Sequence, residues 1–266
     1  MPMDTTLSDL AQLSRVLARS GPRKVAKLES ILSAMPTLSN DDKCVDIGTA
    51  HGGLTSYYAR HGSWTFIDKN GSNLKVAEVH LKGNFRGNIL AEDYLGENGD
   101  QALVCGIDTL IYIDKYLELL SVINRSLKDG GYFLVAGGTL PDTWLTRLRR
   151  RIGAENAIGF TTYPDAPSMR KSLESKGFEV VVEKHYCGFF SMALQTILDF
   201  LIRDDKTVGD QLTLQMASLT REKKNRMLLL SKPLRAASLA TNWLDKCTPF
   251  FKRYAWVILA RKKRTI

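Results

Sequence analysis

The chain has 266 residues, 44% of them hydrophobic and 24% charged. It is therefore long enough for one α/β domain with additions and too apolar to be disordered throughout. No apolar run approaches the ~18 residues that cross a bilayer, and the N-terminus lacks the pattern of a signal peptide. Its four cysteines form no CxxC pair. We therefore expect free or buried thiols, no metal site and a cytoplasmic protein.

The net charge of +9 is unevenly distributed. Residues 221–266 hold 13 Lys and Arg against 2 Asp and Glu, a net charge of +11, whereas the preceding 220 residues hold 24 and 26. Such a basic segment attracts RNA or an anionic membrane surface, or forms only a solvated face. All three interpretations stay open at this point.

Two amphipathic helices are predicted at the start of the chain, separated by a break at Ser20-Gly21-Pro22. Their apolar positions recur at helical spacing: Leu7, Leu10, Leu13, Val16 and Leu17, then Val25, Leu28, Ile31 and Leu32. We assign residues 1–40 to an N-terminal helical cap.

Strands and helices then alternate. Strands are predicted at 43–47, 64–67, 85–90, 102–107, 132–136, 177–182 and 254–260. Helices are predicted at 54–60, 73–81, 114–127, 142–151 and 167–176, and 190–247 is almost wholly helical apart from a polar break near 203–205. Because the strands are continuously apolar, the pattern favours a doubly wound parallel sheet covered on both faces. Asp129-Gly130-Gly131 is predicted to be the turn before the strand at 132–136.

The domain organisation follows from this order. Residues 41–188 form the predicted Rossmann-like core, 189–250 a helical insertion or lid, and 251–266 the final strand and basic tail.

The most informative motif is the run Val45–Gly53. It indicates a strand, a turn of small residues and the start of a helix, so backbone N–H groups at the turn can lie close to a ligand. Asp68 ends the next apolar run, where an acid can accept hydrogen bonds from a ribose. The sequence therefore predicts a nucleotide or nucleoside site.

Several motifs in order identify a family. Asp46-x-Gly48-x-Ala50-x-Gly52 resembles motif I of the class I S-adenosylmethionine-dependent methyltransferases, and Asp68 matches the acid that closes their second strand. Further resemblance lies in Gly87-Asn88, 102–113, the "LKPGG"-like junction at 127–134, 169–182 and the last antiparallel strand at 254–262. The resemblance implies a seven-stranded, mostly parallel sheet with an antiparallel last strand. This chain departs from the family's usual pattern at Ala50, normally glycine, and at Asn88, normally an acid.

The resemblance also implies a cofactor, S-adenosylmethionine, with S-adenosylhomocysteine as product. Asp46 and the turn would anchor its methionine end, Asp68 its ribose, and the segment after the third strand its adenine, while the end of the fourth strand would flank the sulfonium. The cofactor-binding residues expected on this basis are Asp46, Gly48, Thr49, Ala50, Gly52, Asp68, Lys69, Asn88, Ile89, Gly106 and Asp108. A nicotinamide-dependent dehydrogenase shares the turn and the acid but needs the closer Gly-x-Gly-x-x-Gly spacing, and a nucleotide-free domain with the same fold is the other alternative.

Two residues are candidates for acceptor chemistry. Tyr112 occupies a position often held by histidine in the related loop, and His185 follows a late strand that can face the substrate. His51 lies inside the turn, where it is either close to the cofactor or purely structural.

The acceptor is expected to be a small molecule, hydrophobic or lipid-linked, since Trp243-Leu244 and Lys252-Arg253 resemble the amphipathic tail of methyltransferases that act on such substrates. Peripheral contact with a membrane surface is then expected. An RNA methyltransferase that holds phosphates with the basic segment is the alternative we consider less favoured. A non-catalytic binding or scaffold protein is the third, and the oligomeric state stays open.

Overall fold

A seven-stranded sheet forms the centre of the computed structural model, which describes residues 6–138, 143–151, 164–202, 221–248 and 253–264. The strands are β1 (Lys43–Ile47), β2 (Ser63–Asp68), β3 (Asn84–Gly87), β4 (Gln101–Ile107), β5 (Leu127–Gly138), β6 (Phe178–Tyr186) and β7 (Ala255–Lys262). Their order is β3-β2-β1-β4-β5-β7-β6. All pairs are parallel except those that β7 makes with β5 and β6. The predicted fold is thus confirmed, including its antiparallel last strand.

Helices cover both faces of the sheet. They are α1 (Leu7–Ser20), α2 (Pro22–Leu32), α3 (Thr55–Tyr58), α4 (Gly71–Glu78), α5 (Ala91–Glu97), α6 (Tyr116–Ser126), α7 (Trp144–Arg151), α8 (Ala166–Ser175), α9 (Phe189–Ile202) and α10 (Arg221–Cys247). One core cluster joins the sheet to residues of α2, α4 and α9, and a second joins its other face to α5, α6 and α8. Helix α10 packs on α1, α2 and α9, on the first face. Of the helices in the described ranges, none has both the length and the apolar character of a membrane span.

The positive φ predicted for Asp129-Gly130-Gly131 is confirmed at Gly130, but the predicted start of the strand is wrong. Strand β5 begins at Leu127, and its register with β4 shifts between the pairs Gln101–Leu127 and Leu103–Tyr132. Gly130 has a φ of 74°, so the glycines form an irregularity inside the strand rather than a turn before it.

The buried face of α2 also differs from the prediction. Leu32 is largely exposed, whereas Arg23 and Lys27 are buried. Val25 and Ile31 are buried, as the apolar spacing predicts. That spacing does not reveal that two cations of α2 are buried as well, beside the acid that follows β4, as described below.

The predicted polar break at 203–205 and the segment 249–252 lie outside the described residues. Two elements of the structure were not predicted from the sequence, helix α5 and a 3₁₀ turn at Leu110–Tyr112. Three of the four cysteines, Cys44, Cys105 and Cys187, are buried, and burial raises the pKa of each thiol.

Candidate active site

Three acids lie at one edge of the sheet. Because β1, β2 and β4 run parallel, their carboxyl ends meet there. Asp46 is the penultimate residue of β1, Asp68 ends β2, and Asp108 follows β4 directly. Ligands of open α/β sheets bind outside this edge, so the structure brings the predicted acids together where a site is expected.

Asp46 is buried and serves as the centre of a small hydrogen-bond network. Its carboxylate accepts hydrogen bonds from the hydroxyls of Thr55 and Tyr58, both at 2.8 Å. Burial raises the pKa of Asp46 to about 6, against the lowering effect of these hydroxyls. The side chain therefore fixes helix α3 to β1, and its backbone carbonyl accepts from the Thr49 hydroxyl at 2.9 Å.

The raised pKa of Asp46 makes stability depend on pH. The folded state keeps this proton up to about pH 6, while an unfolded aspartate loses it near pH 3.9, so folding binds a proton between these values. The free energy of unfolding should fall as the pH rises through this window, by at most ~3 kcal/mol. In Asp46→Asn this part of the pH dependence should vanish, because an amide does not titrate. Urea unfolding of both proteins from pH 4 to 7 checks this, and parallel curves would contradict it.

The turn after β1 is held by hydrogen bonds to the backbone of β2 and by close packing against Thr109. The N–H groups of Gly48 and Thr49 both donate to the carbonyl of Ile67, and Thr49 is itself buried. Gly48 has a φ of 71°, and a Cβ there would lie 2.4 Å from the Thr109 hydroxyl oxygen. Glycine is thus required by the close approach of Thr109, whose hydroxyl donates to the Ile47 carbonyl. Thr109 was not predicted from the sequence.

The two other small residues of the turn differ in their roles. Ala50, where the family usually has glycine, adopts a φ of 50°, a conformation that costs a non-glycine residue roughly 1 kcal/mol. Gly52, with a φ of 67°, packs against Leu81 and donates its N–H to the Thr49 carbonyl. The turn therefore tolerates Ala50 with some strain and keeps its backbone close to the sheet edge.

Asp68 holds both the turn and the start of α4. One carboxylate oxygen accepts from the N–H of Ala50 and the other from the N–H of Asn70, each at 2.8 Å. The Asn73 side-chain amide donates a third, long hydrogen bond to this carboxylate at 3.5 Å. A carboxylate has about four acceptor positions, so one is free for a ribose hydroxyl and a second becomes free when Asn73 gives way. The residue is buried, and its neighbour Lys69 is exposed.

Asn88 lies beside Asp68, and its contact with the adenine stays a prediction. Its N–H donates to the Asp68 carbonyl at 3.0 Å, and its side-chain oxygen accepts from the N–H of Gly71 at 3.1 Å. The side chain is exposed and the backbone adopts a φ of 59°. Ile89, the next residue, is half-buried against the second core cluster.

Asp108 forms an ion pair with the N-terminal cap, which the sequence did not reveal. Lys27 donates to one carboxylate oxygen, and Arg23 lies 4.0 Å from the other. Burial lowers the pKa of Lys27 to about 8, partly offset by Asp108. Burial alone would raise the pKa of Asp108, but Lys27 and Arg23 outweigh it and lower that pKa. Helix α2 is thereby fixed over the end of β4 next to Gly106; the only sequence signal is the i, i+4 spacing of the two cations.

His51 lies inside the turn after β1, and its role stayed open in the sequence. The ring is almost completely buried, and neither nitrogen has a hydrogen-bond partner among the described residues. Burial, together with smaller contributions from the nearby Lys24 and His80, lowers its pKa to about 4. A buried imidazole with no partner is costly, so its surroundings fit a polar ligand group.

The two residues predicted for acceptor chemistry lie in different places. Tyr112 ends the 3₁₀ turn after β4, close in sequence to Asp108, and is largely exposed. His185 lies near the end of β6, and its ring Nε2 is hydrogen-bonded to the Glu183 carboxylate at 2.8 Å. Strand β6 is four positions from β1 in the sheet, roughly 19 Å at the usual strand spacing. The structure therefore does not bring His185 to the turn.

Comparison with known proteins agrees with this geometry. A family profile described as a methyltransferase domain matches residues 17–183, more than half of the chain. No curated protein matches the chain.

Solved structures share the fold. A S-adenosylmethionine-dependent methyltransferase from Archaeoglobus fulgidus is 16% identical with a TM-score of 0.55, over 91% of this chain and 95% of that one. A proposed methyltransferase from Bacillus halodurans is 17% identical with a TM-score of 0.55, over 90% and 98%. Phosphoethanolamine N-methyltransferase 2 of Haemonchus contortus, solved with S-adenosylmethionine, is 16% identical with a TM-score of 0.55; the match covers 99% of this chain and 61% of that longer protein.

The fold, the order of the motifs and the family profile thus agree: the chain belongs to the class I S-adenosylmethionine-dependent methyltransferases, and S-adenosylmethionine is its methyl donor.

Proposed function

We propose that this enzyme methylates a small-molecule acceptor that reaches the sheet edge beneath helix α2. The observation that carries the proposal is the ion pair of Lys27 with Asp108. It holds a helix of the chain itself over the end of β4, which leaves little room for a folded polymer. In the Haemonchus contortus enzyme, a small phosphorylated amine, phosphomonomethylethanolamine, is bound together with S-adenosylhomocysteine.

The residues at the edge have distinct proposed roles. Asp68 accepts hydrogen bonds from the ribose, Asn88 and Ile89 contact the adenine, and Asp46 keeps the turn in place for the methionine end. Gly106 and Asp108 flank the reacting methyl group, which the cofactor supplies as an electrophile on a sulfonium. Closure by α2 excludes water and orients the acceptor, and both effects accelerate a displacement. Tyr112 remains a proposed wall of the acceptor pocket.

We also propose that His51 binds the carboxylate of the cofactor's methionine part. A charge-assisted hydrogen bond contributes ~1.5–3 kcal/mol, so His51→Ala should weaken S-adenosylhomocysteine binding about 10- to 100-fold. It should leave 5′-methylthioadenosine unaffected, because that ligand lacks the amino-acid group. Calorimetry with both ligands measures the difference, and the exposed His61→Ala serves as the matched control. Equal losses for both ligands would assign His51 to the turn alone.

The acceptor class can be tested directly. Methyl-tritiated S-adenosylmethionine is incubated with the enzyme and with cell extract separated into small molecules, lipids, RNA and protein. Label in the small-molecule or lipid fraction that disappears with Asp68→Asn supports the proposal. Label in RNA would favour the alternative that uses the basic segment. Binding of S-adenosylhomocysteine without transfer to any fraction would indicate the non-catalytic role.

A further inference from the structure

Helix α10 turns polar side chains toward the protein. The Ser238 hydroxyl donates to the Ser20 carbonyl at 2.7 Å, and the Asn242 amide donates to Glu29 at 2.6 Å. The Asp245 carboxylate accepts from three backbone N–H groups around the start of α9, at 2.9 to 3.2 Å. All three side chains are buried. Helix α10 is therefore attached to the protein through its polar side.

The opposite side of the helix is apolar and exposed. Leu229 is 78% exposed and Trp243 is 63% exposed. These two residues lie on one stripe with Pro233, Ala236 and Ala240 at three- and four-residue spacing, over ~20 Å of helix. Leu230, Leu239 and Leu244 flank the stripe and are also exposed. A contiguous apolar surface of this kind marks an interaction site rather than ordinary surface variation.

Among the described residues, the exposed charged side chains that α10 itself carries beside the stripe are cations. Lys232, Arg235 and Lys246 are exposed, with Lys246 bonded to Glu29 of α2. Between Asn225 and Thr248 the one acid is Asp245, which is buried against α9. Apolar anchors beside exposed cations match a lipid surface that carries negative charge.

We propose that this outer face of α10, defined by Leu229, Lys232, Arg235, Leu239 and Trp243, docks on an anionic membrane surface. A second copy of the chain fits less well, because a two-fold contact would place the cations against themselves without an acid between them. RNA fits the cations but leaves the exposed leucines without a partner. The docking surface does not depend on the acceptor proposed above.

Helix α10 also contacts α2, the helix that covers the end of β4. Asn242 and Lys246 both hold Glu29 of α2, and α2 carries Lys27 over Asp108. A lipid surface on the outer face of α10 would therefore contact the helix that holds α2 in place over the site.

Sedimentation with vesicles tests the docking surface. Vesicles of phosphatidylcholine alone are compared with vesicles of equal parts phosphatidylcholine and phosphatidylglycerol, using the full chain. The wild type should bind the anionic vesicles and the tryptophan emission should shift to the blue. Leu229→Ser with Trp243→Ser should lower the partition coefficient at least tenfold and abolish the shift, and Lys232→Glu with Arg235→Glu should remove the preference for anionic lipid.

Matched controls lie on the other face of the sheet. Leu117→Ser changes an exposed residue in the first turn of α6, and Lys115→Glu changes the exposed residue just before that helix. Both should leave vesicle binding unchanged. The melting temperature of each variant separates lost binding from lost folding. Absence of binding to anionic vesicles, a dimer that dissociates with Trp243→Ser, or binding to RNA through the same residues would each overturn the proposal.

Discussion

Asp68→Asn should abolish most of the affinity for S-adenosylhomocysteine. A carboxylate that accepts from two ribose hydroxyls makes two charge-assisted hydrogen bonds of ~1.5–3 kcal/mol each, which the amide cannot both replace. The dissociation constant should therefore rise by about 10²- to 10³-fold, measured by calorimetry. Stability should change less, because the amide oxygen can still accept from one of the N–H groups of Ala50 and Asn70 that now share the carboxylate.

The control for this experiment is Asp129→Asn. Asp129 is an exposed acid near the start of β5, at the opposite end of the parallel strands, where it lies 3.9 Å from Lys262. Its loss should leave ligand binding unchanged. An Asp68→Asn protein that binds S-adenosylhomocysteine as tightly as the wild type would remove Asp68 from the cofactor site.

Much of the site could be predicted from the sequence because its signals are local. The apolar parts of β1 and β2, the small-residue turn and the acid that closes β2 all lie in one stretch of 25 residues, from Cys44 to Asp68. Parallel pairing then brings strand ends to one edge by topology alone. This is why Asp46, the turn and Asp68 could be placed together before the structure was known.

What the sequence could not show depends on long-range contacts. Asp108 meets Lys27 across 81 positions of the chain, and no local pattern indicates that a lysine of an amphipathic helix points inward. Thr109, just after β4, lies so close to Gly48 that any Cβ at position 48 would clash with its side chain. The orientation of α10 was hidden for the same reason, since its buried side is selected by polar partners on α1, α2 and α9 rather than by apolar spacing.

Asp108→Asn should destabilise the protein more than Lys27→Met. The Lys27 side chain is 3% exposed, whereas that of Asp108 is 35% exposed, so water can solvate an unpaired Asp108 far better than an unpaired Lys27. Removal of one partner of a buried ion pair costs ~3–5 kcal/mol, and we expect Asp108→Asn to lower the free energy of unfolding at pH 5, where Lys27 of the wild type is fully charged, by about 3 kcal/mol in urea titrations. The double variant should recover at least half of this loss, because it leaves no buried charge at position 27.

The pH dependence gives this prediction a second test. The pKa of Lys27 in the folded protein is about 8, below its usual value near 10.4, so folding releases a proton between these values and stability rises with pH across this window. Without Asp108 the pKa of Lys27 should fall further, since burial then acts unopposed. The deficit of Asp108→Asn should accordingly shrink as the pH rises from the lowered pKa of Lys27 in the variant to about 8, and it should stay constant above that, where Lys27 is neutral in both folded proteins. The exposed pair Lys115–Glu118, at 3.7 Å, supplies the control: Glu118→Gln should change stability by less than ~1 kcal/mol at every pH. A loss of stability in Asp108→Asn as small as that in Glu118→Gln would mean that the ion pair does not hold α2 over the sheet edge. The site would then be open to acceptors larger than a small molecule.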